Sequence, residues 1–167
     1  MIPGRRQFLR SSLAGSLLLS FSGWLNAAGA RPPSVAEREM LGAVVNALLD
    51  GALPLDAEQR RQRVMLTVDG IVTGVAGLSL ATQKEIGELF GLLVLAPGRL
   101  ILAGVGKPWR AATLADVAGF LQSWRTSRLV LLQGAYAALH DLTFAAWYAR
   151  PDTWEAIGYP GPPQGYF

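Results

Sequence analysis

Apolar residues at helical spacing, each run bracketed by its own start and stop signals, constrain this chain more than any other feature. In residues 34–51, Met40, Leu41, Val44, Val45, Leu48 and Leu49 recur on one helical face. Ser34 and Glu37 precede them at capping-box spacing, and Gly51 is a natural stop. "LPLDAEQ" then makes a turn, and Asp56 with Gln59 caps a second helix whose stripe is Val64, Val68, Ile71, Val72 and Val75. Gly70, Gly74 and Gly77 fall late in that helix, where each glycine costs about 1 kcal/mol against alanine. The first two predict close approach of another helix, and Gly77 its end. Ser79 starts a third helix that stops before Pro97-Gly98, followed by a short apolar element and a loop, "GKPWRAA". Thr113 and Asp116 open a further helix with Leu114, Val117, Phe120, Leu121 and Trp124 on its apolar face. A last one runs through 127–148 until Pro151 forbids continuation. No segment alternates with period two. The expectation is all-α: a small bundle of about five helices over residues 31–150, with an extended proline-rich C-terminal tail at 151–167.

Residues 1–30 read as an export address. Arg5 and Arg6, one spacer, then Phe8 and Leu9 match the twin-arginine pattern, and Arg5, Arg6 and Arg10 form a basic n-region. Residues 13–25 are mildly apolar and shorter than the about 20 residues a spanning helix needs. Ala28 and Ala30 supply small residues for cleavage. An ordinary secretory signal and an uncleaved anchor are the alternatives. The address predicts a periplasmic protein carried folded through the twin-arginine translocon. Its three arginines account for the whole net charge of +3, which leaves 12 basic and 12 acidic residues beyond it. The charge balance therefore gives no reason to expect nucleic acid or anionic lipid as a partner.

The chain has no cysteine, which excludes disulfides, iron–sulfur clusters and covalently attached c-type haem. His140 is the single histidine, too few for the usual zinc site. It lies on a helix with Tyr136, Leu139 and Phe144 and reads as a hydrogen-bonded residue facing a groove or interface. "GVGKPW" fits neither a dinucleotide fingerprint nor a phosphate loop, because Trp109, Ile101 and Pro108 stand where those motifs need other residues. No catalytic, cofactor-binding or metal-binding residue is predicted in this chain. Candidate docking residues are Arg125 and Arg128, three apart on a helix, and the tail residues Trp154, Ile157, Tyr159, Pro160 and Pro162. The arginines equally fit a solvated face, and the tail equally fits packing on its own bundle.

The segments "RRQFL", "KEIGELFGLLVL", "FLQSWRTSRL" and above all "WYARPDTWEAIGYPGPP" resemble the small subunits of bacterial membrane-associated flavin dehydrogenases, of the gluconate 2-dehydrogenase subunit 3 type. The resemblance covers nearly the whole chain, and its specific part is the tail. It implies a partner, an FAD-containing large subunit of the glucose–methanol–choline oxidoreductase type, with a cytochrome c as a frequent electron acceptor. It implies that the small subunit helps the flavoprotein mature and leave the cell, and it supplies no catalytic residues. A folded-export address on a chain without a cofactor site is consistent with FAD carried by that partner. The competing expectation is a free-standing periplasmic helical bundle that holds an apolar ligand.

Overall fold

The computed structural model describes residues 31–154 and 158–161, and these are helical and irregular without a strand. The export residues Arg5, Arg6, Phe8, Leu9, Ala28 and Ala30, and the tail residues Ile157 and Pro162, lie outside the described residues. Six α-helices follow in order: α1 Val35–Leu48, α2 Ala57–Ala76, α3 Leu80–Val94, α4 Ala96–Ile101, α5 Leu114–Arg125 and α6 Val130–Tyr148. Short 3₁₀ turns stand at Trp109–Ala111 and Pro151–Thr153. The short apolar element expected after α3 is itself a helix, α4.

Local chemistry sets most of the boundaries. Ser34 Oγ accepts from the Glu37 amide at 3.3 Å, and the Glu37 carboxylate accepts from the Ser34 amide at 2.6 Å. Thr113 and Asp116 repeat the arrangement at α5. The side chains of Asp56 and Ser79 cap α2 and α3. Gly77 closes α2.

The core forms around α1, which packs against α2, α3, α5, α6 and the Trp109 turn. Met40, Leu41, Val44 and Val45 are fully buried there, and the stripe continues through Leu49 and Leu53. On α5, Val117, Phe120, Leu121 and Trp124 face inward, whereas Leu114, expected on the same face, is exposed at the helix's first position. Trp109, Phe120 and Trp124 stack in series, with centroids 5.8 and 4.8 Å apart. Their two indoles donate to carbonyls: Trp109 Nε1 to Leu93 at 2.8 Å and Trp124 Nε1 to Leu102 at 2.8 Å. These bonds fasten the end of α3 and the end of α4 to the rest of the bundle without leaving a buried donor unpaired.

Two glycines are steric requirements. At the α3–α4 corner a Cβ on Gly98 would lie 2.0 Å from the Leu92 carbonyl oxygen. Pro97 is tolerated beside it because the first turn of a helix has no use for its missing N–H. On α2 a Cβ on Gly70 would meet the Ala146 Cβ at 3.0 Å, so this position brings α2 and α6 into close approach. Gly74 was expected to do the same, but it faces open space.

Glu37 is the one buried carboxylate among the described residues. Burial alone would raise its pKa. The Arg31 guanidinium grips both its oxygens at 2.7 and 2.9 Å, and with the Ser34 donors holds the carboxyl below its ordinary value. The resulting stabilisation is present above the unfolded-state pKa and is lost as the pH falls through the lower folded value.

Two predictions follow from these contacts. Gly98→Ala should destabilise the protein by about 2 kcal/mol or more, while Gly74→Ala should stabilise it by about 0.5–1 kcal/mol, both measured by urea unfolding. Arg31→Ala should cost about 1 kcal/mol at pH 7, a modest figure because the guanidinium is 39% exposed. That penalty should shrink toward zero as unfolding is repeated at successively lower pH, once the pH falls through the lowered folded-state pKa and Glu37 becomes protonated.

Candidate docking site

Four rings stand four residues apart along α6: Tyr136, His140, Phe144 and Tyr148. Side chains at i and i+4 meet on a helix surface, and the ring centroids are 5.7, 4.5 and 6.0 Å apart in sequence order. The adjoining face of α6 is buried in the core through Leu139, Thr143, Ala146 and Trp147, and Tyr136 and Phe144 pack partly against that core. The ladder is therefore only partly covered, and Tyr148 is exposed. His140 sits within it as a partly covered ring, its Nδ1 2.9 Å from Asp141 Oδ1. The hydrogen bond agrees with the sequence expectation.

The tail is anchored at the end of the ladder by hydrogen bonds. Past Ala149 the chain leaves the helix, and Thr153 turns back under α6, its buried hydroxyl 2.9 Å from the Trp147 carbonyl and 2.8 Å from that of Arg150. Asp152 is held on two sides, by a two-point grip from Arg150 at 2.7 and 3.1 Å and by Arg63 of α2. The Arg150 hydrogen bonds above all, with Arg63 second, keep its carboxyl far below the usual carboxylate range. Trp154 Nε1 donates to the Tyr148 carbonyl at 2.7 Å, and the indole meets Tyr159 edge-on at 5.2 Å. Gly161, at φ 94°, lies against the indole face, where a Cβ would come within 3.3 Å of Cζ3. The tail is thus a hook fastened to the end of α6. Trp154 packs on its own chain, while Tyr159 and Pro160 face outward.

Arg125 and Arg128 are exposed and have no ion pair among the described residues. They precede α6, whereas the hook follows it. Nineteen helical residues separate the two groups, about 28 Å at 1.5 Å per residue. The candidate docking residues therefore do not form one surface. The ladder joins Tyr136, Phe144 and Tyr148 to the hook instead, and its i, i+4 spacing is readable in the sequence once the four positions are aligned.

A cleft of about 260 Å³ opens elsewhere, between α2 and α3 beneath the segment before α1. Val72, Val75, Ile86 and Phe90 line it, with Arg31 and Glu37 at one edge. No group of three or more potential metal ligands occurs among the described residues. The fold and this surface define an all-α bundle with a partly exposed aromatic face. No protein-family model, curated protein or solved structure matches the chain.

Trp154→Ala removes one hydrogen bond and one aromatic contact from the hook, about 1 kcal/mol each. Limited proteolysis within residues 150–161 should accelerate roughly tenfold or more, with little change in the thermal unfolding of the bundle.

Proposed function

We propose that this chain is a non-catalytic small subunit that escorts a folded, FAD-loaded dehydrogenase of the glucose–methanol–choline type through the twin-arginine translocon to the periplasm. The observation that carries the reading is a partly exposed aromatic ladder on α6, followed by the Trp154–Tyr159 hook, on a chain whose first residues spell an address for folded cargo. Aromatic residues are enriched where proteins meet, and they dominate binding energy there. The hook adds preorganisation: its indole, Gly161 and the Asp152 ion pairs hold it before any partner arrives, so less ordering entropy opposes docking. The resemblance to small subunits of flavin dehydrogenases is concentrated in this same segment. It also supplies the partner's cofactor, FAD, and a cytochrome c as electron acceptor.

Deleting residues 154–167 should leave the bundle folded and strand dehydrogenase activity in the cytoplasm. Changing Arg5 and Arg6 to Lys should block export of both polypeptides. Periplasmic activity at the wild-type level in the deletion strain argues against docking through the hook.

A second reading, a binding protein for a small apolar ligand, rests on the cleft between α2 and α3. The two readings separate on the behaviour of the chain expressed alone. An obligate subunit expressed alone gives a low yield of soluble chain. A ligand-binding bundle is a stable monomer whose melting temperature rises with ligand.

A further inference from the structure

We propose that the end of the bundle formed by α4 and the α5–α6 connection is a peripheral docking surface for an anionic phospholipid bilayer. The proposal is independent of the aromatic ladder, which begins at Tyr136 and runs on to the hook beyond α6.

Two separate segments bring exposed aliphatic residues to this end. Leu100 and Ile101 close α4, and Ile101 is 80% exposed. Leu129, Val130 and Leu131 open α6, and Val130 is 81% exposed. The hydrogen bond from Trp124 Nε1 to the Leu102 carbonyl, 2.8 Å, ties the tip of α4 to the last turn of α5, directly before the connection to α6. The connection itself is rigid. Ser127 Oγ accepts from the Leu129 amide at 3.1 Å, and Gln133 Nε2 donates back to the Ser127 carbonyl at 2.8 Å. Five large aliphatic side chains are thus exposed to water on two segments linked through Trp124.

The charges at this end name the occupant. Eight of the twelve basic residues after position 30 sit in ion pairs with carboxylates. Arg99, Arg110, Arg125 and Arg128 do not, among the described residues, and three of these four flank the aliphatic cluster. Arg99 uses its Nε on the Val105 carbonyl at 3.2 Å, which leaves the guanidinium charge without a counter-ion. Between Glu88 and Asp141 the only acid is Asp116. It lies at the far end of α5, where its carboxylate serves the helix cap and Lys107. Formal neutrality after residue 30 therefore conceals a local excess of positive charge.

The cluster contains aliphatic residues and arginine, without aromatic side chains. A protein-binding hot spot is typically built around aromatic anchors, and none is exposed in these two segments. Exposed aliphatic side chains with arginines beside them in the chain suit the headgroup boundary of an anionic leaflet, where the apolar groups enter the acyl region and the guanidinium groups meet lipid phosphates. Among the described residues no helix is long and apolar enough to cross a membrane, so the contact is one of lying on the surface.

The absence of cysteine makes the test specific to this end of the molecule. In the full-length chain, Leu131→Cys and, as a control on α2, Arg61→Cys each accept one environment-sensitive fluorophore. With vesicles of 30% phosphatidylglycerol in phosphatidylcholine, the Leu131 label should shift to the blue and be quenched by nitroxide-labelled lipid, while the Arg61 label should not. Arg125→Gln with Arg128→Gln in the Leu131→Cys background should weaken that response at least about tenfold. Phosphatidylcholine alone, or 1 M salt, should abolish most of it. A Leu131 label that stays in water on vesicles carrying the bound chain would overturn the proposal, as would a response indifferent to both arginines. Loss of a protein complex in the arginine double variant, with no vesicle response in the parent, would also overturn it and assign the surface to an acidic protein. Export of the dehydrogenase is not read by any of these measurements, so either reading can fail without the other.

Discussion

Everything in this bundle leans on the burial of α1. A fourteen-residue helix touched by four others is surrounded, and its side chains have to be apolar wherever a neighbour meets them. Met40, Leu41, Val44 and Val45 meet that demand at the centre. The price is paid at the helix start, where a carboxylate is drawn inside to close the first turn. Glu37 is tolerated because Ser34 and Arg31 satisfy both its oxygens. Hydrophobic burial and polar satisfaction are here two aspects of one packing event.

Much of this was legible in the sequence, because caps are local chemistry. Ser34, Asp56, Ser79 and Thr113 all start the helices they were expected to start. What escaped depended on partners far away in the chain. Gly70 and Gly74 look alike on a helical wheel, and only the position of Ala146 distinguishes them. Leu114 belongs to the apolar stripe of α5 by spacing, yet the first residue of a helix can lie beyond the reach of the element that covers the rest. α4 is too short to show a period, and its proline reads as a break until the first-turn exemption is applied.

The surface was less legible than the core. Four-residue spacing of Tyr136, His140, Phe144 and Tyr148 is plain, but spacing alone does not tell a buried ladder from an open one; the inward face of α6 decides that. Similarly, Arg125 and Arg128 and the tail aromatics were grouped by chemistry, and the length of α6 parts them. The result is a last helix that opens on exposed aliphatic residues beside two arginines, carries an aromatic ladder from its second turn, and ends in a hook.

The close approach of α2 and α6 has a consequence for how the molecule comes into being. It joins position 70 to position 146, so the two halves of the core are far apart along the polypeptide. Helices α1 to α3 can form as the chain emerges during synthesis, but the groove they leave stays open until the final helix arrives. Assembly is therefore an event of completed chains, and a truncated product would expose its unfilled groove to chaperones and proteases.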